Sequence, residues 1–598
     1  MSKTLVAGAF VLFTLTCVSA GFAQSPATLV ETRCGRCHTQ NNSVGAPLPE
    51  TLRLMNWPAI LASLETGKMK SIGETLSAEE REAVARYLGT DASQPVPSSV
   101  SCASAVPQRR GPAQQNWNGW ADAANTRFQP ASAAGLTSRT ARRLKLKWSF
   151  GFPGVTTALG VPSIVDGVLF VGASDGHVYA LDSQSGCLYW SYAGTAGVRV
   201  APVIWNGNVY FGDLHGYMYA VNATTGALLW KVRADEHPGA VITGSPKLDS
   251  GRLYVPVSGR DESLAATNPK FECCSYRGSV VALDATTGKQ IWKTYTIQEV
   301  ANVTGQNAIG ARTWGPSGAA AWSSPTLDLQ KSVLYVGTGV NYSKPATRTS
   351  DAIIAMELES GHIVWTRQFT ADDMWNFSCT TQDKTNCPRD PVIDADFGSS
   401  GILQSLGNGR RILMVSDKGG TVFGIDPDRE GAILWKQKLA TGGTFGGTMW
   451  GGAADDRGIA YIGLSDFVAG RPEVGGGLVA LRLSDGRILW MTPAPKPQCL
   501  ATPGCSAAQP APVTVIPGVA FLGSWDGHLR AYATDHGTII WDFDTVHDFQ
   551  TVNGVKARGG SINAMAAVVA AGQVYITSGY SGAAMPGNVL LAFSVDGK

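Results

Sequence analysis

One repeated motif limits the folds open to this chain more than any other feature. ALDSQSGCLYW ends at Trp190, AVNATTGALLW at Trp230, ALDATTGKQIW at Trp292, AMELESGHIVW at Trp365, GIDPDREGAILW at Trp435, ALRLSDGRILW at Trp490 and AYATDHGTIIW at Trp541. Each is preceded by a strand, turn and strand such as GVLFVGASDGHVY or GNVYFGDLHGYMY, where apolar residues alternate and DG or HG supplies a positive-φ turn. Four short strands per repeat make one propeller blade. The last repeat, VYITSGYSGAAMPGNVLLAFSVDGK, stops before its Trp-ended strand, whereas Trp148 in LKLKWSF has no repeat in front of it. If that N-terminal strand completes the C-terminal blade, the chain forms an all-β eight-bladed propeller with a closed ring. Insertions in repeats three to six should then crowd one end of the ring as loops around an axial site.

Composition fits this reading and removes others. Seventy Gly and 17 Trp in 598 residues suit Gly-turned, aromatic-anchored strands, and 48 Lys+Arg against 46 Asp+Glu leave no basic surplus to hold nucleic acid. The start, MSKTLVAGAFVLFTLTCVSAGFA, has Lys3, an apolar run from Leu5 to Val18 and small residues at Gly21 and Ala23, which reads as an export signal cleaved near Ala23. An uncleaved anchor is the alternative, although the run is short for a bilayer; no later segment is long and apolar enough to span one. Export sets a disulfide-permissive context. Outside the signal and a CGRCH motif, eight cysteines remain: Cys379 with Cys387, Cys499 with Cys505 and Cys273 with Cys274 pair by proximity, and Cys102 with Cys187 by elimination.

Ahead of a Pro/Ser/Gln-rich stretch at 91–115 lies a segment of different character. Ser77 and Glu80 form a capping box ahead of Ala83, Val84, Tyr87 and Leu88 on one face, with Gly89 to stop the helix; 56–67 reads as another amphipathic helix. CGRCH places Cys34, Cys37 and His38 so that two thiols can add to the haem vinyl groups and the imidazole can take an axial position on iron. This is a small all-α c-type cytochrome module. Met69 is the favoured sixth ligand, in an irregular stretch before the last helix, with Met55 as the other candidate. The organisation expected is a signal at 1–23, a cytochrome module at 24–92, a linker at 93–120 and the propeller at 121–598.

The AxD-x-x-TG-x-x-x-W repeat around an eight-bladed ring resembles the pyrroloquinoline quinone (PQQ) dependent alcohol dehydrogenases. A haem module ahead of the ring, ECCSYRGSVVALDATTGKQIWKTY and DADFGSSGIL extend that resemblance to the quinohaemoprotein members. It implies a flat, tri-anionic quinone held between aromatic or apolar faces, a divalent metal on the quinone oxygens and a base for the hydroxyl proton. Trp322 in AAAWSSPTLD matches the ring-stacking Trp, with Trp314 as runner-up. Thr243, Ser258 and Gly259 match contacts to PQQ, and either Asp261 or Glu262, directly after them, matches the carboxylate on Ca²⁺. Asn341 matches a second metal ligand only with a one-residue shift from Val340, and otherwise caps a turn. Lys418 matches the basic contact to the quinone oxygens, and Arg277 and Arg199 are candidates for the PQQ carboxylates.

Two departures from the family pattern stand out. Where small-alcohol enzymes have an Asp after a Trp, this chain has Asn376, whose amide accepts no proton. Asp396 and Asp394 are the favoured substitutes for the base, with Asp373 third. The family's adjacent cysteine pair also lies about a blade earlier, where this chain has Val200 and Ala201; Cys273–Cys274 either covers the second face of PQQ or staples a loop. The resemblance implies a periplasmic enzyme that oxidises secondary alcohol groups, on a polymer such as polyvinyl alcohol, using PQQ, Ca²⁺ and haem c, and that delivers electrons to a soluble cytochrome c or other periplasmic acceptor. A dehydrogenase for small alcohols or sugars and a non-catalytic electron-transfer or scaffold propeller are the alternatives.

Overall fold

The computed structural model describes residues 25–35, 38, 49–53, 55, 57–65, 69–89, 100–103, 105–106, 116–388, 394–407 and 409–598. The signal at 1–23 and Cys37 fall outside them. Among the described residues the repeats form eight antiparallel sheets, seven of four strands and one of five. They occupy residues 163–193, 203–233, 240–295, 326–368, 402–438, 453–493 and 514–544, with 568–595 and 144–151 making the eighth blade. That last blade is the split one: Leu144–Gly151 pairs antiparallel with Val589–Val595 and closes the ring. The innermost strands are buried, while the Trp-ended strands lie outside and expose residues such as Leu228 and Leu229.

Seven of the eight outer Trp indoles lock their blade to the next with a hydrogen bond, and Trp365 packs on Gly431 of the following blade. The indole of Trp190 donates to the Ala223 carbonyl at 2.9 Å, Trp230 to Ala285 at 3.0 Å, Trp292 to Leu358 at 3.0 Å, Trp435 to Leu483 at 2.7 Å and Trp490 to Thr534 at 3.0 Å. Trp148 reaches Ser183 at 3.2 Å, and Trp541 reaches Leu144 at 2.9 Å across the seam. The Gly of each TG turn explains the rest of the motif. Gly226 has φ +71°, and a Cβ there would stand 2.7 Å from the ring of Trp190. The same residue makes the turn and leaves room for the neighbouring indole.

One end of the ring is closed by the segment that precedes it. Starting at Asn116, the chain circles the axis and meets the blades in order. Trp117 accepts from and donates to Ile164 of the first blade at 2.8 Å, and Ile204 of the second donates to Asn118 at 2.8 Å. Lys247 of the third donates to the Ala121 carbonyl at 2.9 Å. Leu327, Leu403, Ala454 and Val515 of the next four donate to Ala123, Ala124, Thr126 and Arg127 at 2.8, 3.0, 2.8 and 3.0 Å, and Gln129 donates to Val569 of the eighth at 3.0 Å. Inner-strand edges that face the axis cannot pair with one another, so this strap satisfies them. Arg127, 1% exposed, anchors it through Val513, Thr514 and Ala567.

The helical module packs Leu29, Cys34, Leu52, Ile60, Leu64, Leu76, Val84, Ala85 and Leu88 into a core of its own. Its last helix, Ala78–Leu88, has the expected Ser77/Glu80 capping box and ends at Gly89. All four expected disulfides form, and Cys102–Cys187 fastens the chain after the module to the first blade. No helix among the described residues is long and apolar enough to cross a membrane.

The Trp–Gly lock can be tested with two glycines of the second blade. Gly207 has φ +76° with nothing near its virtual Cβ, whereas Gly226 also faces Trp190. Gly207→Ala should cost about 1 kcal/mol from backbone strain alone. Gly226→Ala should cost about 1–3 kcal/mol more, through overpacking. Urea or thermal denaturation of both variants reads the difference, and equal losses would contradict the lock.

Candidate active site

The sequence-nominated residues gather at the end of the ring opposite the strap. Lys418 lies in the turn between Arg411–Ser416 and Thr421–Asp426. Asp261, Glu262, Cys273 and Cys274 lie in the insertion between Arg252–Gly259 and Ser279–Asp284. Arg199, Thr243, Trp322, Asp373, Asp394 and Asp396 lie on connections into the first strand of the following blade. These loop classes share one edge of every blade, so the ring converges them without further design.

At their centre is a buried ammonium among carboxylates. Lys418 Nζ donates to Asp394 Oδ1 at 2.7 Å and to Asp396 Oδ2 at 3.1 Å, and the three side chains are at most 8% exposed. Burial works against the Lys418 charge, but Asp394 and Asp396 outweigh it and raise its pKa. Asp396 is fully used, since its Oδ1 accepts the Val340 amide at 2.6 Å. Asp394 keeps Oδ2 without a hydrogen bond among the described residues, and burial, opposed by Lys418 and reinforced by Asp396, lifts its pKa to about 7. Asp373 Oδ2 accepts the Ala395 amide at 2.9 Å, positioning the segment that carries both carboxylates. Of the paired metal candidates, Glu262 faces this cluster. Burial, with Asp396 adding and Lys418 opposing, pushes its pKa to about 8.

Beside the cluster is a small, partly open pocket. Trp322, Thr243 and Arg199 line it, with Trp450 and the hydroxyls of Ser245, Ser323, Ser324 and Ser400. Lys418 Nζ stands 5.8 Å from the Trp322 ring, and Trp450 meets that ring edge-on at 5.0 Å. A flat, anionic quinone fits these walls. Trp322 Nε1, Ser323 Oγ and Ser400 Oγ are buried without hydrogen-bond partners among the described residues. The Arg199 guanidinium stacks over Trp450 at 4.7 Å, and bare glycines at 244 and 398 form the sides. A Cβ on Gly398 would overlap the Trp322 ring.

Other nominated residues are placed differently. Arg277 donates to the carbonyls of Ile297, Gln298 and Glu299 at 3.1 Å each and lies over Tyr295, outside the cavity lining. Asn341 is committed to its own loop, accepting from the Thr347 amide at 2.8 Å and donating to Ser317 at 3.0 Å. Asp261 accepts the Ser275 and Tyr276 amides, both at 3.1 Å, and so holds the cysteine loop. Asp261, Glu262 and Asn341 therefore do not converge as a cation site, and no three His, Cys, Asp or Glu side chains among the described residues do so. Ser258 sits in a strand pair with Val241, and the Tyr276 ring presses on Gly259. Trp314 is on a hairpin, bonded to Glu272. Cys273–Cys274 is buried with Tyr276, Tyr342 and Trp375 in one apolar cluster against which Trp322 also packs. Asn376 caps Phe377–Thr380 and reaches Tyr342 and Asn386.

Two cavity tryptophans escaped the sequence reading. Trp450 precedes the first strand of the sixth blade much as Trp322 precedes that of the fourth, a parallel that TMWGG displays. Trp120 comes from the strap, held under Arg127 at 4.6 Å, and nothing in the repeat announces it. In the helical module Cys34 and His38 are 5% and 8% exposed, and the His38 amide donates to Cys34 at 3.0 Å. Met69 and Met55 both pack against the same core. Buried thiol, imidazole and thioether donors there suit a haem.

Residues 21–88 match the family model of the cbb3-type cytochrome c oxidase subunit III, and 264–384 match the β-propeller domain of glucose, ethanol and alcohol dehydrogenases. Residues 142–294 and 418–590 match the propeller model named for the outer membrane protein assembly factor BamB. The chain is 36% identical to a polyvinylalcohol dehydrogenase of Pseudomonas sp, covering 96% of this chain and 94% of that one. It is equally similar, at 36%, to the polyvinylalcohol dehydrogenase of Sphingopyxis sp. (strain 113P3), over 96% and 93% of the two chains. The solved quinohemoprotein alcohol dehydrogenase ADHIIG of Pseudomonas putida shares the fold, with a TM-score of 0.59 at 20% identity over 83% of each chain. A non-catalytic propeller is set aside by this end-to-end similarity to named dehydrogenases. The chain belongs to the PQQ-dependent quinohaemoprotein alcohol dehydrogenases, within the group of the polyvinyl alcohol dehydrogenases.

Proposed function

We propose that the protein oxidises secondary alcohol groups of polyvinyl alcohol or a similar polyol in the periplasm and passes the electrons to a soluble cytochrome c. The observation that carries this reading is the buried Lys418–Asp394–Asp396 cluster beside Trp322, next to a cavity whose walls carry unpartnered polar atoms. PQQ, when bound, supplies the carbonyl that takes the hydride from the alcohol carbon. Trp322 offers a ring face, while Arg199, Thr243 and the serine hydroxyls meet anionic and carbonyl oxygens. Asp394 is the base, because Asp396 is already engaged by Val340 and Lys418. Lys418 keeps Asp394 oriented and is, among the described residues, the cation hydrogen-bonded to this carboxylate pair. Glu262, which faces this pair, is the nominated carboxylate left to meet a divalent cation, and no step of the oxidation is routed through one. Haem c on Cys34 and Cys37, with His38 and Met69 on iron, supplies a one-electron outlet. An absorption spectrum of PQQ-reconstituted protein before and after adding alcohol tests the assignment; haem that stays oxidised contradicts it.

Asp394→Asn should lower kcat by about 10²–10⁴-fold while PQQ is retained; Lys418→Ala should lose retention of PQQ itself, read from the cofactor released on denaturation. With the Asp394 pKa lifted to about 7, only the form above that pH can accept a proton, so kcat/KM should rise with pH through this region. A divalent cation favours the charged carboxylates, so added Ca²⁺ should move the rise to lower pH; a shift to higher pH contradicts the arrangement. Met69→Ala should lower the haem reduction potential, measured by redox titration, whereas Met55→Ala should leave it in place.

A further inference from the structure

Outside the cavity, at the same end of the ring, four loops each contribute one aromatic side chain to a single shelf. Phe445 comes from the connection into the sixth blade, Phe467 from the sixth blade, Trp525 from the seventh and Tyr580 from the eighth. Trp525 is 1% exposed and forms the base. Its ring lies 5.7 Å from Phe445, 5.0 Å from Phe467 and 6.3 Å from Tyr580, all of which are half-buried. Ala508, Ala583 and Ala584 pack against the same cluster.

The shelf is stiff and continuous with the cavity. Cys499–Cys505 staples the neighbouring loop, and the Ala507 amide donates to the Pro472 carbonyl at 2.8 Å, tying that loop to the one bearing Phe467. Asn563 Oδ1 accepts from Trp525 Nε1 at 3.0 Å and from Trp450 Nε1 at 3.3 Å. Trp450 lines the cavity, so one amide joins shelf and cavity wall. Tyr580 lies near Arg199, another lining residue. The acid beside the base of the shelf is neutralised: Asp526, next to Trp525, is bound to Arg530 at 2.6 Å with both side chains at most 3% exposed. Hydroxyls stand at the rim, where Ser581 meets Thr157 at 2.6 Å and Thr156 at 3.2 Å.

We propose that this shelf is a distal subsite for the hydrocarbon backbone of an extended, uncharged secondary polyol whose reacting carbinol lies in the cavity. This rests on the polyol reading of the cavity given above. A substrate of alternating CH₂ and CHOH units has no charge to recognise, so its affinity must come from ring faces along the methylenes and neutral hydroxyls beside them. Long loops that carry aromatics to a stapled, uncharged face, and do so from four separate positions in the chain, are explained by a ligand longer than the cavity.

The test uses PQQ-loaded holoenzyme and a dye acceptor, with polyvinyl alcohol and 2-propanol as the two substrates. Phe467→Ala and Phe445→Ala should each raise KM for the polymer about tenfold, the scale of a lost aromatic contact. The polymer kcat and both parameters for 2-propanol should be unchanged. Phe467→Leu, which keeps apolar packing but removes the ring, should raise the polymer KM in the same direction and guards against simple misfolding. Equal losses on both substrates, or an unchanged polymer KM in all three variants, overturn the subsite. Slower haem reduction with 2-propanol in Phe467→Ala would mark the shelf as the docking face of the cytochrome module and likewise overturn it. A wild-type enzyme that turns over 2-propanol but no polymer removes the polyol reading itself, a result distinct from failure of the shelf.

Discussion

The structure depends on the contact between each blade's terminal indole and the turn of the blade that follows. A blade of four short strands has two apolar faces and cannot bury both alone. The indole solves this with a large apolar ring and a single donor. It packs into the space left by a glycine that the turn requires anyway, and its N–H satisfies a carbonyl there. Sequence, turn conformation and inter-blade packing are therefore one requirement, which is why AxD-x-x-TG-x-x-x-W recurs as a unit. Because Trp541 reaches Leu144, the same contact also joins the two ends of the chain.

A rigid ring makes the chemistry at its hub tenable. Lys418 and Asp394 are nearly sealed from water, and a buried charge whose partner is removed costs about 3–5 kcal/mol. Such a cluster persists only where its surroundings cannot relax to let solvent in. Here Asp394 and Asp396 come from one connection, Lys418 from a turn of the next blade and Glu262 from a blade two positions earlier, so no single loop movement separates them. The leftover negative charge draws cations and holds protons near neutral pH, a useful state for a group that must exchange a proton with an alcohol.

Periodicity made the fold legible. Eight blades, the split closing blade, the capping box at Ser77 and three of the four disulfides follow from spacing, because each reflects a local rule, whereas Cys102–Cys187, 85 residues apart, follows only by elimination. The site was legible where its residues sit at repeat-related positions, as with Trp322, Lys418, Asp394 and Arg199. It was less so where side-chain direction decides the role. Asp261 and Glu262 are adjacent, yet one holds a loop and the other faces the acidic cluster. Asn341 and Arg277 lie in the right loops but are spent on backbone groups nearby. The strap left no pattern at all, since most of its bonds are made by main-chain carbonyls that any residue supplies, and with it Trp120 stayed hidden.

That strap has a consequence for how the molecule matures. Residues 116–129 and the strand at 144–151 are made before every blade they touch, and neither has its complete set of partners until residues 568–595 exist. For a polypeptide threaded through a membrane from its N-terminus, the leading helical unit can fold at once while the stretch behind it waits, unpaired, for the tail. Assembly is governed by these distant pairings, a slow and aggregation-exposed route. Loss of the final blade would therefore take away the ring's seam and the last anchors of its plug, more than an eighth of the architecture.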